Sequence, residues 1–312
     1  MLAIQYEDFG APDVLHLRDV ATPEPGPGEV LVDLRAASVI PADWKLRAGH
    51  LKGMFPVTFP KIPGRDGVGI VSKLGDGVDY VSLGDPVCVI AQHTENGTHA
   101  QCIVRDRDTL VPLPVGMDFN HAAALMHAGI CAWICLVEDA RVQPGQRVLV
   151  QGGAGSIGSL GIQLAKHLGA HVTTTCRAAN AAFVREMGAD AVLAYDEVDF
   201  AETPDRFDVI FDLIGGDTHR KSYALLKPGG HMVCLRAAPI EDLSAQYGVT
   251  MHVPVVHDRL YAIEATVKLA EEGVFRPQIA RLLPLAEAAE AQRTLEAGEV
   301  TRGRVVLEIP PR

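Results

Sequence analysis

Arg147-Val-Leu-Val-Gln-Gly-Gly-Ala-Gly-Ser-Ile-Gly158, entered through the turn Gln143-Pro-Gly145, is the stretch that decides the fold class. Gly153, Gly155 and Gly158 match G-x-G-x-x-G. The match follows an apolar run from Arg147 to Val150 and opens a segment in which Ile157, Leu160, Leu164, Ala165 and Leu168 recur at helical spacing. Strand, glycine turn and helix in that order point to a dinucleotide site. Without Cβ atoms the chain turns sharply and its backbone approaches a diphosphate, whose charge meets the free N–H groups and positive dipole end of the helix. Gly153, Ala154, Gly155, Ser156, Ile157 and Gly158 are the expected cofactor-binding residues.

The end of the next strand selects the coenzyme. An NAD site places Asp or Glu there to accept from the ribose 2′-OH; this chain reads Thr173-Thr-Thr-Cys-Arg177. With a guanidinium instead of a carboxylate, a 2′-phosphate is tolerated and pairs with Arg177, close to Thr175, Cys176 and Asn180, so NADP(H) is expected. Two further strand-end loops are expected to frame the nicotinamide half: Asp212-Leu-Ile-Gly-Gly216, through Leu213, Ile214 and Gly215, and Leu235-Arg-Ala-Ala238, through Leu235, Arg236 and Ala237.

Outward from the glycine loop, Ala-rich helical stretches alternate with short apolar strands: Ser156 to Leu168, His171 to Thr175, Ala178 to Met187, Ala191 to Leu193, Val209 to Asp212, Thr218 to Leu225 and His231 to Leu235. That alternation means right-handed crossovers and a parallel, doubly wound α/β sheet. Before about residue 120 the texture is different, with Gly and Pro dividing short β-like runs: Val30 to Leu34, Gly67 to Val71, Pro86 to Ile90 and Ala100 to Val104. After residue 256 come two helical stretches and a last strand, Gly303 to Ile309, so the first domain is expected to be completed by the C-terminus. A ligand cleft between two such domains is the corresponding expectation.

At 312 residues and 48% hydrophobic, the chain has the material for two buried cores, and disorder is excluded. A net charge of −11 argues against a nucleic-acid or anionic-membrane surface. The six cysteines are scattered, with no disulfide framework and no C-x-x-C, which fits a reducing compartment. No run of eighteen apolar residues and no leader pattern at Met1 is visible, so a cytoplasmic location is expected. Cys131 and Cys135 read as core residues. His93 and His99 lack a completing ligand set, and no metal is expected.

Gly26-Pro-Gly-Glu-Val-Leu-Val32, Pro63-Gly-Arg-Asp-Gly-Val-Gly69, Gln163-Leu-Ala-Lys166, Leu226-Lys-Pro-Gly-Gly230 and the tail Leu283 to Gln292, taken with the glycine loop, resemble the zinc-independent medium-chain dehydrogenase/reductases. The likeness is greatest to their quinone oxidoreductase branch and spans essentially the whole chain. It implies a GroES-like β domain over residues 1–119 and 266–312, an inserted Rossmann domain over 120–265, and a homodimer. Where zinc-dependent members carry Gly-His-Glu this chain has Gly64-Arg-Asp66, and the four-cysteine lobe has no counterpart.

Without a metal to polarise a substrate, the chemistry that the resemblance implies is hydride delivery from NADPH to an acceptor that is already electrophilic, a quinone or an α,β-unsaturated carbonyl. Three positions depart from the family pattern. Ile40 stands where an Asn is usual, in Ser38-Val-Ile-Pro-Ala-Asp-Trp-Lys45, which leaves Asp43 and Lys45 as polar candidates and Ile40, Trp44 and Lys45 as substrate-side residues. Cys131 stands where Thr is common, and His99 falls in a segment that often holds Tyr, making it a third candidate donor. Arg304 matches a basic position that commonly approaches the cofactor. Two other functions stay open: an enoyl-thioester reductase, and a cofactor-binding protein with little catalysis.

Overall fold

A computed structural model describes residues 1–235 and 239–312. The chain forms two compact units, one of Met1–His127, Asp258–Glu271 and Pro277–Arg312, the other of Ala128–His257 and Glu272–Arg276. These limits differ from the expected 119/120 and 265/266. The first falls inside an apolar helix, and the helix Leu260–Glu271 packs on the strand Leu110–Pro112, with Glu271 Oε1 accepting from the Val115 N–H at 3.1 Å. A change in composition marks where helices begin; it carries no information on which layer a helix covers.

In the first unit β1 (Leu2–Gln5) and β2 (His16–Asp19) pair antiparallel, and β3 (Val30–Val39) runs into the short helix α1 (Pro41–Arg47). β4 (Asp66–Leu74), β5 (Pro86–Ile90), β6 (Cys102–Arg105) and β7 (Leu110–Pro112) follow, then α2 (Phe119–Trp133). β3 is ten residues long and buried on almost every side chain, so it shows no alternation, and only its first half reads as a strand from sequence.

α2 continues into a wider helical stretch over Ile134–Asp139, closed by the i→i+5 bond from the Ala140 N–H to the Cys135 carbonyl at 2.9 Å. The combined helix Phe119–Asp139 has the length and composition of a membrane span, but 72% of its most apolar window is buried within the protein.

The second unit holds β8 (Arg147–Gln151), α3 (Ser156–His167), β9 (His171–Cys176), α4 (Ala181–Glu186), β10 (Ala191–Ala194), β11 (Phe207–Asp212), α5 (Gly216–Ser222), β12 (Leu226–Cys234), α6 (Ser244–Tyr247) and β13 (Thr250–His252). Its six strands are all parallel, in the order β10-β9-β8-β11-β12-β13. That is the doubly wound arrangement, and the direction of winding reverses between β8 and β11, where ligands of such sheets bind at the strands' carboxyl ends. β13, three residues at the sheet edge, carries no readable sequence signal.

The chain then returns to the first unit through α7 (Leu260–Glu271), β14 (Ile279–Pro284), α8 (Ala288–Glu296) and β15 (Arg304–Glu308). β15 inserts between β14 and β3, with Val306 opposite Ser38 and Leu307 opposite Ala37, so the last strand completes a sheet begun by the first third of the chain. Val30, Val32, Leu34, Val305 and Leu307, all essentially inaccessible, tie the two ends together in one apolar core.

Candidate cofactor site and the residues around it

The turn between β8 and α3 is compact because three of its residues lack a Cβ. One built on Gly153 would lie 1.9 Å from Thr174 Oγ1, and one on Gly158 would lie 2.3 Å from the Gly152 carbonyl oxygen. Gly152 itself has φ +78°, a left-handed conformation that favours glycine. Gly155 is different: it is exposed, its φ is −67°, and the nearest atom to an added Cβ is 3.5 Å away.

Gly155 is the N-cap of α3 and caps with no side chain. Among the described residues, no side chain caps this helix start and no acidic residue lies in its first turn. A tight glycine cradle beneath an unscreened helix start fits the diphosphate of a dinucleotide.

The end of β9 locks this turn. Thr175 Oγ1 donates to Gln151 Oε1 at 2.6 Å and accepts from the Gly152 N–H at 3.0 Å, while its carbonyl accepts from the Gly153 N–H at 3.0 Å. Thr174 Oγ1 donates to the Val150 carbonyl, and Gln151 Nε2 donates to Ser222 Oγ. Thr175, expected beside a 2′-phosphate, is therefore buried and occupied in shaping the turn. Cys176 is also buried, with its thiol pushed up by that burial. Arg177 is exposed, its Nε 3.3 Å from the Tyr195 hydroxyl, and Asn180 is buried three residues on. A carboxylate does reach this corner, but from the end of β10: Asp196 Oδ1 accepts from the Ala178 N–H at 2.8 Å.

At the end of β11 the geometry depends on a residue that sequence reading passed over. Asp212 is fully buried, its Oδ1 accepting from the Ile214 and Gly215 N–H groups at 2.9 and 3.0 Å and its Oδ2 2.8 Å from His219 Nδ1. His219 Nε2 lies 3.0 Å from the Glu241 carbonyl. This chain of contacts fixes the loop of Leu213, Ile214 and Gly215, and Gly215 takes φ +77° with Ile214 largely exposed. The Leu235 N–H donates to the Asp212 carbonyl. The second unit thus brings the glycine loop, Arg177, the Leu213–Gly215 loop and Leu235 to the carboxyl ends of β8, β9, β11 and β12. Arg236 and Ala237 lie outside the described residues.

The remaining site candidates lie in the first unit. Asp43 is buried, with Oδ2 accepting from the Ile40 N–H at 2.7 Å and Oδ1 from the Gly64 N–H at 3.1 Å, so its carboxylate closes the start of α1. Burial raises its carboxyl pKa, against the pull of His99. His99 is completely buried with Nε2 2.9 Å from the Ser38 carbonyl, which makes it a brace between segments. Ile40 is buried as the residue before α1. Trp44 and Lys45 are half-buried, Lys45 Nζ lying 5.6 Å from the Trp44 ring centroid. Arg304 is buried at the start of β15.

Where a metal-binding relative would carry a ligand after Gly64, the Arg65 guanidinium holds Asp258 through bonds of 2.7 and 2.8 Å and donates to the Ala91 carbonyl.

Beside Asp43, Tyr6, Lys61 and His93 line a small cavity. Burial pushes the Lys61 ammonium down to about 8 from an ordinary 10.5, with Asp43 and Glu95 opposing. The unfolded chain then holds more protons than the folded one between pH 8 and 10.5, so this group's contribution to stability rises with pH across that window. Urea unfolding of wild type and Lys61→Met is expected to show the difference moving in favour of the wild type by about 2 kcal/mol between pH 7 and pH 10; a difference that does not change with pH contradicts the assignment.

A six-stranded parallel sheet with a glycine-cradled helix start at its reversal, joined in one chain to a β unit that the C-terminus completes, defines a two-unit, dinucleotide-dependent oxidoreductase. Residues 26–144 match the family model described as alcohol dehydrogenase GroES-like domain, and residues 187–307 the one described as zinc-binding dehydrogenase. The chloroplast envelope quinone oxidoreductase homolog of Arabidopsis thaliana is 31% identical over 99% of this chain and 98% of its own length. The chloroplastic NADPH-dependent alkenal/one oxidoreductase of the same plant is 31% identical over 99% of this chain and 80% of its own. The quinone oxidoreductase of Coxiella burnetii superposes with a TM-score of 0.90 at 32% identity, covering 99% of both chains. The chain belongs to the medium-chain dehydrogenase/reductase family, among its quinone oxidoreductase-like members.

Proposed function

We infer that this protein reduces quinones or α,β-unsaturated carbonyls with NADPH, without a catalytic metal. The observation that carries the reading is the glycine cradle beneath the N-terminus of α3, which no side chain caps, with Arg177 at the end of β9. Gly153, Ala154, Gly155, Ser156, Ile157 and Gly158 hold the diphosphate, Arg177 pairs with the 2′-phosphate, and Leu213, Ile214, Gly215 and Leu235 border the nicotinamide half. When bound, the reduced nicotinamide supplies a hydride to an electrophilic carbon. The protein's own part is orientation, exclusion of water and a donor for the charge that develops on oxygen.

Of the three candidate donors, Asp43 and His99 are sealed inside the first unit, and Lys45 is the one left half-exposed, beside Trp44. Arg65, paired with Asp258 where a ligand would stand, supports metal-free chemistry. All six cysteines lie outside disulfides, which supports a reducing, cytoplasmic setting, and a homodimer completes the proposal.

The deciding experiment follows oxidation of NADPH and NADH side by side with quinones, enones and an acyl thioester as acceptors. Turnover of a quinone or enone is the expected result. Tight NADPH binding with no turnover of any acceptor would leave a binding protein instead. Arg177→Ala is expected to weaken NADPH by about 1.5 to 3 kcal/mol, a loss of roughly 10- to 150-fold, with little change for NADH; equal loss of both coenzymes refutes the role of Arg177.

A further inference from the structure

We propose that Asp139, His231 and His252 form a binding site for one divalent ion of the zinc type at the β13 edge of the second unit. The three residues come from different elements: Asp139 ends the wide helical stretch after α2, His231 lies on β12 and His252 on β13. Asp139 Oδ1 is 2.8 Å from His231 Nε2 and 3.4 Å from His252 Nδ1, and the three ligand atoms all lie within 4.8 Å of one another. A tetrahedral zinc ion with bonds of about 2.0–2.1 Å needs its ligands roughly 3.4 Å apart, so small side-chain rotations complete the set.

Two further features suit a ligand set better than an ordinary ion pair. Thr250 Oγ1 lies 3.1 Å from His231 Nδ1, in position to accept a hydrogen bond from its N–H and leave Nε2 as the coordinating nitrogen, the outer-shell support that metal-bound histidines usually have. Asp139 sits at the end of an i→i+5 stretch, a rare helical form found frequently at functional sites. His252 is 58% exposed, so water completes the coordination, and two imidazoles with one carboxylate favour Zn2+ over Mg2+ or Ca2+. None of these residues belongs to the cofactor site; the ion would clamp edge strand β13 to β12 and to the helix end.

The test is calorimetric titration of the chelator-treated full chain with zinc chloride, with thermal unfolding in parallel. One Zn2+ per chain and a higher Tm are expected. His252→Ala, whose exposed ring bears little on folding, and Asp139→Asn should each weaken zinc at least tenfold, and Thr250→Val should weaken it less while keeping all three ligands. The proposal is overturned by the absence of binding, by equal zinc affinity in His252→Ala, or by Mg2+ producing the same thermal shift.

Discussion

Gly155→Asp is expected to leave the fold intact and to weaken NADPH by more than 100-fold, about 3 kcal/mol or more. The two effects separate because Gly155 is glycine for reasons unlike those of its neighbours. At Gly153 and Gly158 a Cβ would meet protein atoms at 1.9 and 2.3 Å, so substitution there disturbs the turn and the cofactor together. At Gly155 the backbone is in ordinary β space and the Cβ direction is open. An aspartate there is a good N-cap: it accepts from the same N–H groups, at Ile157 or Gly158, that the diphosphate would use, and it favours the helix dipole. The Tm is therefore expected to hold or rise slightly while a carboxylate occupies the anion's place. Undiminished NADPH affinity in a folded Gly155→Asp protein would remove the basis for the cofactor assignment.

The second large effect is expected from Asp212→Ala, a loss of about 3–5 kcal/mol in unfolding free energy. Asp212 and His219 are both completely buried, and deleting the carboxylate strands His219 Nδ1 and the Ile214 and Gly215 N–H groups without an acceptor. Asp212→Asn should cost clearly less, because its amide oxygen can still serve the two N–H groups and its amino group can face the imidazole in the other tautomer. Urea denaturation of the two variants measures the difference. A loss below about 1 kcal/mol for the alanine variant would mean that the loop of Leu213 to Gly215 is held by something other than this carboxylate.

The positions that could be read from sequence and those that could not differ in a physical way. Gly153 and Gly158 announce themselves because no room for a Cβ leaves glycine as the residue type that fits, and Gly155 through its place in the motif; the strand and helix on either side have strong periodicity. Asp212 and His219 are seven residues apart in a segment that reads as a loop and a helix start, and nothing in that spacing says that both are buried or that they touch. Thr175 was legible as a position at the end of β9, but its burial and its bonds to Gln151 and Gly152 depend on β8 lying alongside. For Asp43 and His99, residue type suggested proton transfer, while packing made one a cap and the other a brace.

Sequence alone determined the strand, glycine turn and helix of the cofactor loop, the parallel winding of the central α/β segment, the return of the C-terminus to the first unit and the family, because each rests on local periodicity, glycine stereochemistry or extended similarity. Tertiary structure alone decided which polar groups face one another, which are withdrawn from water, and where α7 belongs. Burial and hydrogen bonding arise between segments remote in the chain, and no local pattern encodes the partner across the gap.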